Sequence, residues 1–153
     1  EIIPELTLRT TFITGFPGET EEQFQNLADF VRRHQFERMG VFTYSYEPDT
    51  PAAKLPDQIE DHVKEERRSR LMAIQQEIAF DFNKRQTGKT LDVIIDHPVP
   101  DQPGVWVGRA PFDAPDVDGS VFVTESGKSL TPGEIVPVEI VQGHGYDLVG
   151  VAV

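Results

Sequence analysis

The sequence predicts a chain in two parts: an α/β segment of strand, helix, strand and long helix over residues 1 to about 86, and then an all-β segment, a small antiparallel five-stranded β-barrel of OB-like type, over residues 87 to 153. Three observations predict it. Apolar residues at helical spacing lie between two runs rich in β-branched and aromatic residues. A proline-broken loop precedes a second, longer helical pattern. After Lys89 the pattern changes to short strands separated by Pro, Gly and Asp.

The first strand is residues 8–14, LRTTFIT, and GFPGE follows it as a turn around Pro17 and Gly18. Thr20 and Gln23 have the spacing of a capping box, Glu21 and Glu22 suit the positive end of a helix dipole, and Phe24, Leu27, Ala28 and Val31 share one helix face. VFTYSY after Gly40 is the second strand, and the crossover is long enough for parallel pairing, which makes a βαβ unit. Such a unit alone leaves both sheet edges open, so neighbouring strands are expected in sequence outside this chain and the N-terminus reads as cut.

Residues 47–57, EPDTPAAKLPD, hold Pro48, Pro51 and Pro56 too closely for regular structure and form a loop. Asp57 with Glu60 is then expected to cap a helix that runs to about Gln86 and stops at Gly88. Its apolar stripe is Ile59, Val63, Leu71, Ile74, Ile78 and Phe82. The pairs Glu60–Lys64 and Glu66–Arg70 make its charged middle read as a solvated face. The remaining strands are TLDVIID, VWVGRA, SVFVTE, EIVPVEIV and YDLVGVAV, and closing them into a barrel removes their edges.

Composition narrows the chemistry. Apolar residues at 38% and charged residues at 26% fit a folded domain and argue against disorder. No apolar run approaches the ~20 residues that cross a bilayer, and no signal segment opens the chain, which reads as cytoplasmic with no membrane role. With no cysteine, the chain offers no disulfide, thiolate nucleophile or iron–sulfur ligand. His34, His62, His97 and His144 are scattered, and no metal site is expected. The net charge is −12, and it is densest at the end: residues 87–153 hold three basic side chains against ten acidic ones. A surface of that sign repels phosphate backbones and attracts basic partners.

Two motifs have bland readings. GFPGET lacks the lysine of a phosphate loop and carries Glu19 where a negative charge would repel phosphate, so it reads as a strand-to-helix turn. Asp113, Asp116 and Asp118 lack the other ligands of a calcium loop. The order of segments says more. TTFITGFPGETEEQF, FTYSYEPDTPAAKLPD, a long helix, GRAPFDAPDVDG and a closing barrel together resemble the radical S-adenosylmethionine methylthiotransferase family across essentially the whole chain. DAPDVDG favours the branch that modifies a ribosomal protein.

The resemblance implies that residues 1–86 are the last part of a radical-SAM partial TIM barrel with its linking helix, and that residues 87–153 are a TRAM domain. It implies S-adenosylmethionine and two [4Fe–4S] clusters as cofactors of the full-length enzyme, the clusters held by cysteines upstream, so that this cysteine-free part binds no cluster and is inactive alone. Thr11, Ile13 and Gly15 match the late-barrel strand beside the cofactor's adenosine, and Phe42 and Tyr44 lie on the next strand; for each singly, barrel packing is the competing role. Asp49 stands where relatives often carry glycine. No side chain here is expected to be catalytic, because the 5′-deoxyadenosyl species abstracts the hydrogen.

The family's substrates are tRNA or ribosomal protein S-twelve, whose aspartate receives the methylthio group. Trp106, Phe112, Phe122 and Tyr146 could stack bases, but Lys89, Arg109 and Lys128 are too few for a phosphate-binding groove. The charge favours the basic protein, docked through Asp113, Asp116 and Asp118. A tRNA-modifying relative, a non-catalytic nucleic-acid-binding barrel and a structural adaptor are the alternatives.

Overall fold

A computed structural model describes residues 6–153. The chain divides into two compact units, with the boundary between Ile78 and Ala79.

In the first unit, β1 (Arg9–Thr14) and β2 (Arg38–Thr43) pair in parallel, joined by α1 (Glu21–His34). The capping box is formed: Thr20 accepts from the Gln23 N–H at 3.2 Å and the Gln23 side chain accepts from the Thr20 N–H at 2.9 Å. Gln35, in the left-handed region at φ 53°, ends the helix. The buried residues Phe24, Ala28 and Val31 pack with Met39 and Val41 of β2 and with Leu71 and Ile78 of α2 (Asp61–Lys84). The second strand starts and stops three residues earlier than VFTYSY suggests, because Arg38, Met39 and Gly40 extend the ladder against Arg9, Thr10 and Thr11.

Two expectations for α2 need correction. Asp57 does not cap it: Asp57 has φ 58° and its carbonyl accepts the Gly18 N–H at 2.9 Å, so it belongs to the preceding turn, and the first helical bonds go to the Glu60 carbonyl. Nor is the charged middle wholly solvated. Lys64 and Arg67 are buried on the same face as Leu71, Gln75 and Ile78. Lys64 pairs with Asp61 at 2.9 Å rather than with Glu60, whereas Arg70 lies 3.7 Å from Glu66 and 2.9 Å from Glu21. The helix ends in a turn that closes at Gly88, φ 82°.

The second unit is a closed barrel of β3 (Thr90–Pro98), β4 (Val105–Arg109), β5 (Val121–Thr124), β6 (Ile135–His144) and β7 (Asp147–Ala152), in the order β3-β4-β5-β7-β6. Val93, Ile95, Val121, Val123, Val138, Ile140 and Leu148 fill its interior, each from an alternating inward position. Four pairings are antiparallel as anticipated, and β5 with β7 is parallel. The reason is topological. The chain leaves β5 to place β6 beside β3, and β7 then returns between β6 and β5, where it must run with β5 to run against β6.

Candidate functional site

On the two-stranded sheet, alternation sends Thr10, Phe12, Thr14, Met39 and Val41 toward the helices and leaves Thr11 and Ile13 on the opposite face. The parallel register sets Ile13 beside Phe42 and Thr11 beside Gly40, so that face joins both strands. It is apolar and open: Ile13 is 57% and Phe42 64% exposed. Both faces of a parallel sheet are normally covered, which makes this exposed strip unlike ordinary surface. The sequence-predicted Thr11, Ile13 and Phe42 are therefore brought together, and Gly40 joins them.

Gly15 and Tyr44 lie just beyond the strand ends. Gly15 has φ 73°, and a β-carbon there would sit 2.3 Å from Lys64 Cγ, so both backbone conformation and space demand glycine. Tyr44 donates its N–H to the Thr14 carbonyl at 2.8 Å, its ring meets Phe16 edge-on at 5.4 Å, and Lys64 Nζ lies 5.5 Å from the ring centre. Its hydroxyl is buried with no hydrogen-bond partner among the described residues.

The GFPGE turn is held from α2, a link that spacing alone did not reveal. The Glu19 carboxylate accepts the Gly15 N–H at 3.0 Å and a bond from Arg67 Nη1 at 2.7 Å, and Arg67 also donates to the Glu19 carbonyl at 3.0 Å. Glu19 thus fixes the turn against a buried cation and does not face a ligand phosphate.

In the barrel, Asp113, Asp116 and Asp118 share the β4–β5 connection. Asp118 accepts the Ala114 N–H at 2.6 Å, which gives it a part in shaping the loop. Asp116 is exposed at φ 60°, and Asp113 donates its N–H to the Ala110 carbonyl at 3.0 Å. The domain's cations do not gather into a cleft. Arg109 is clamped by Asp96 through two bonds of 2.9 and 3.0 Å, which raises its pKa, Lys128 pairs with Glu134, and Lys89 donates to the Gln86 side chain at 3.2 Å.

Three of the four candidate stacking rings are already engaged. Phe112 meets Phe82 edge-on at 5.0 Å and Tyr146 meets Phe80 at 4.9 Å. Trp106 packs against the barrel core and donates its indole N–H to Glu125 at 2.8 Å. Bonds from the Leu130 N–H, the Trp106 indole and the Ser129 hydroxyl hold the Glu125 carboxyl below the usual carboxylate range. Among the described residues no group of His, Cys, Asp and Glu is arranged to hold a metal ion, and no helix is long and apolar enough to cross a membrane.

Residues 87–153 match the TRAM domain family. Over 150 residues the chain is 51% identical to the ribosomal protein uS12 methylthiotransferase RimO of Synechococcus sp. (strain JA-2-3B'a(2-13)), covering 98% of this chain and 31% of that protein. The proteins of the same name from Desulfitobacterium hafniense and Thermus thermophilus are 47% and 48% identical, over 97% and 99% of this chain and 33% and 34% of theirs. The chain therefore spans about a third of the length of the curated relatives it matches. Residues 87–153 thus match the TRAM domain family, and the chain as a whole resembles the methylthiotransferases of ribosomal protein uS12 along that third.

Proposed function

We propose that this chain is the part of a radical S-adenosylmethionine methylthiotransferase that supplies one wall of the cofactor site and docks the substrate, and that the substrate is ribosomal protein uS12, modified on an aspartate. The relatives' names support the reaction and the substrate. The observation that carries the choice of partner is electrostatic. Residues 87–153 hold ten carboxylates and three cations, and Arg109 and Lys128 are spent on Asp96 and Glu134. Such a surface favours encounter with a basic protein and disfavours a polyanion. Asp113, Asp116 and Asp118 are the proposed contacts, with Asp118 also shaping the loop.

The open strip of Thr11, Ile13, Gly40 and Phe42 fits the adenosine of S-adenosylmethionine, since a purine needs an apolar wall with a few polar groups at its edge. Bound there, the cofactor would supply the radical that these residues cannot. The [4Fe–4S] clusters do not fit this chain, because it contains no cysteine to ligate them.

The test is a titration of the chain with uS12 and with tRNA at two salt concentrations. Saturable uS12 binding that weakens as salt rises is the expected result. Tight, salt-sensitive tRNA binding without uS12 binding would reverse the assignment and favour the nucleic-acid-binding reading.

A further inference from the structure

The β3–β4 connection and the segment after β5 line an open cavity of about 340 Å³ against the barrel. Its apolar wall is Pro98, Pro103 and Trp106, and its charged groups are Asp101 and Glu125. Glu125 is locked in place: Oε1 accepts from the Trp106 indole at 2.8 Å, the Leu130 N–H at 2.9 Å and the Ser129 hydroxyl at 3.1 Å. Those three bonds gather on one oxygen. The other, Oε2, lies beside Gly104, 3.6 Å from where that residue's β-carbon would be, on the cavity lining. Among the described residues, no lysine or arginine pairs with Asp101 or Glu125.

An aromatic ring, two prolines and two carboxylates without a cation of their own describe a receptor for a cation on an apolar stem. The volume is at the small end of ligand cavities, which run ~300–1,000 Å³, and suits one side chain better than a cofactor. A guanidinium matches it best. Its plane stacks on an indole, its fork donates to a carboxylate in a fixed geometry, and its methylenes cover the prolines. An anion or a phosphate backbone would meet two negative charges.

We propose that this cavity takes an arginine side chain of the basic protein partner, separately from the β4–β5 loop. The proposal rests on the reading that the partner is uS12, and adds the place where one of its side chains is bound.

Trp106 is the chain's one tryptophan, so its emission reads the cavity directly. The probes are a tri-arginine peptide, the matching tri-citrulline peptide, an RNA oligonucleotide and uS12 itself, titrated into the full chain. The informative variant is Asp101→Asn, because Asp101 has φ 59° and asparagine tolerates that region, so charge is lost with the backbone kept. Asp92→Asn, an equal charge loss on the outer face of β3, is the control.

Expected are a saturable change in Trp106 emission with arginine but not citrulline, and about three- to tenfold weaker binding of both the arginine peptide and uS12 by Asp101→Asn, against less than about twofold for Asp92→Asn. If uS12 binds but Asp101→Asn matches Asp92→Asn and the arginine peptide leaves Trp106 unmoved, the cavity proposal falls and the choice of partner stands. If the arginine peptide fills the cavity but uS12 does not bind, the choice of partner falls with the proposal's link to it. Quenching by RNA alone overturns both.

Discussion

Arg67→Ala should destabilise the first unit by about 3–5 kcal/mol. Arg67 is 7% exposed and its partner Glu19 13%, so water screens the pair weakly. Arg67 Nη1 donates twice to Glu19, at 2.7 Å to the carboxylate and 3.0 Å to the carbonyl. Hydrogen bonds to charged groups contribute about 1.5–3 kcal/mol each, and stripping one partner from a buried pair costs about 3–5 kcal/mol, so two routes reach the same figure. The loss comes chiefly from the abandoned Glu19, which would keep only the Gly15 N–H. Removing both charges should therefore cost less than removing either cation or anion suggests: Arg67→Met with Glu19→Gln should fall short of the summed single losses by about 2 kcal/mol. The buried Arg67 Nε, without a partner among the described residues, points the same way, since methionine leaves no such atom. Urea unfolding followed by circular dichroism at 222 nm measures the unaltered chain, Arg67→Ala, Arg67→Met, Glu19→Gln and the double variant. A loss below about 1 kcal/mol for Arg67→Ala, or strict additivity in the double variant, would refute the reasoning.

Three further expectations concern the sheet face, the barrel and its acid response. Ile13→Ser and Phe42→Ser should each change the chain's stability by no more than about 0.5 kcal/mol, because both side chains are over half exposed; a loss above about 2 kcal/mol in urea melts would make them packing residues instead. Gly119→Ala should destabilise the barrel by about 1–3 kcal/mol or more, since its β-carbon would lie 1.9 Å from the Tyr146 carbonyl oxygen, and an unchanged Trp106 unfolding midpoint would contradict that contact. The Glu125 carboxyl is depressed first by the Leu130 N–H, then by the Trp106 indole, so its contribution is complete above the ordinary value of 4.5 and is lost as pH falls through the lower folded value. Urea midpoints read by Trp106 emission should thus fall below pH 4.5, and fall less steeply in Glu125→Gln; equal slopes would remove Glu125 from the account.

What could be read from the sequence was whatever is decided locally. Thr20 and Gln23 announce the start of α1 because a capping box spans three residues, and alternation within EIVPVEIV is enough to assign inward and outward positions. The inward turn of Lys64 and Arg67 was not legible. Charges at helical spacing look alike whether they face water or a partner, and Glu19 lies 48 residues from Arg67. The parallel pairing of β5 with β7 depends on where β6 goes, which no strand pattern states. The candidate site divides in the same way: Thr11, Ile13 and Phe42 were named through the family resemblance and alternation accounts for their shared face, whereas the cavity needs Trp106 and Glu125, 19 residues apart, to meet across a hydrogen bond.

A closed barrel constrains its interior and leaves its exterior free, so the chemistry of its partner has to be decided by side chains that folding does not require. Val93, Val121, Val138 and Leu148 would serve a barrel that binds any partner. The choice lies in the outer and loop positions, and there a bare tally of charges understates the sign. Arg109 is the cation nearest to what an RNA-binding face would need, on the outward side of β4 opposite Ile94, and it is held by both oxygens of Asp96. To reach a phosphate it would have to leave a bidentate partner, among the stronger pairings a side chain can form. Asp96→Ala should then be the single change that most raises affinity for RNA, by freeing one cation and deleting one anion together. If filter binding of tRNA is no stronger in that variant than in the unaltered chain, the internal clamp is not what excludes nucleic acid.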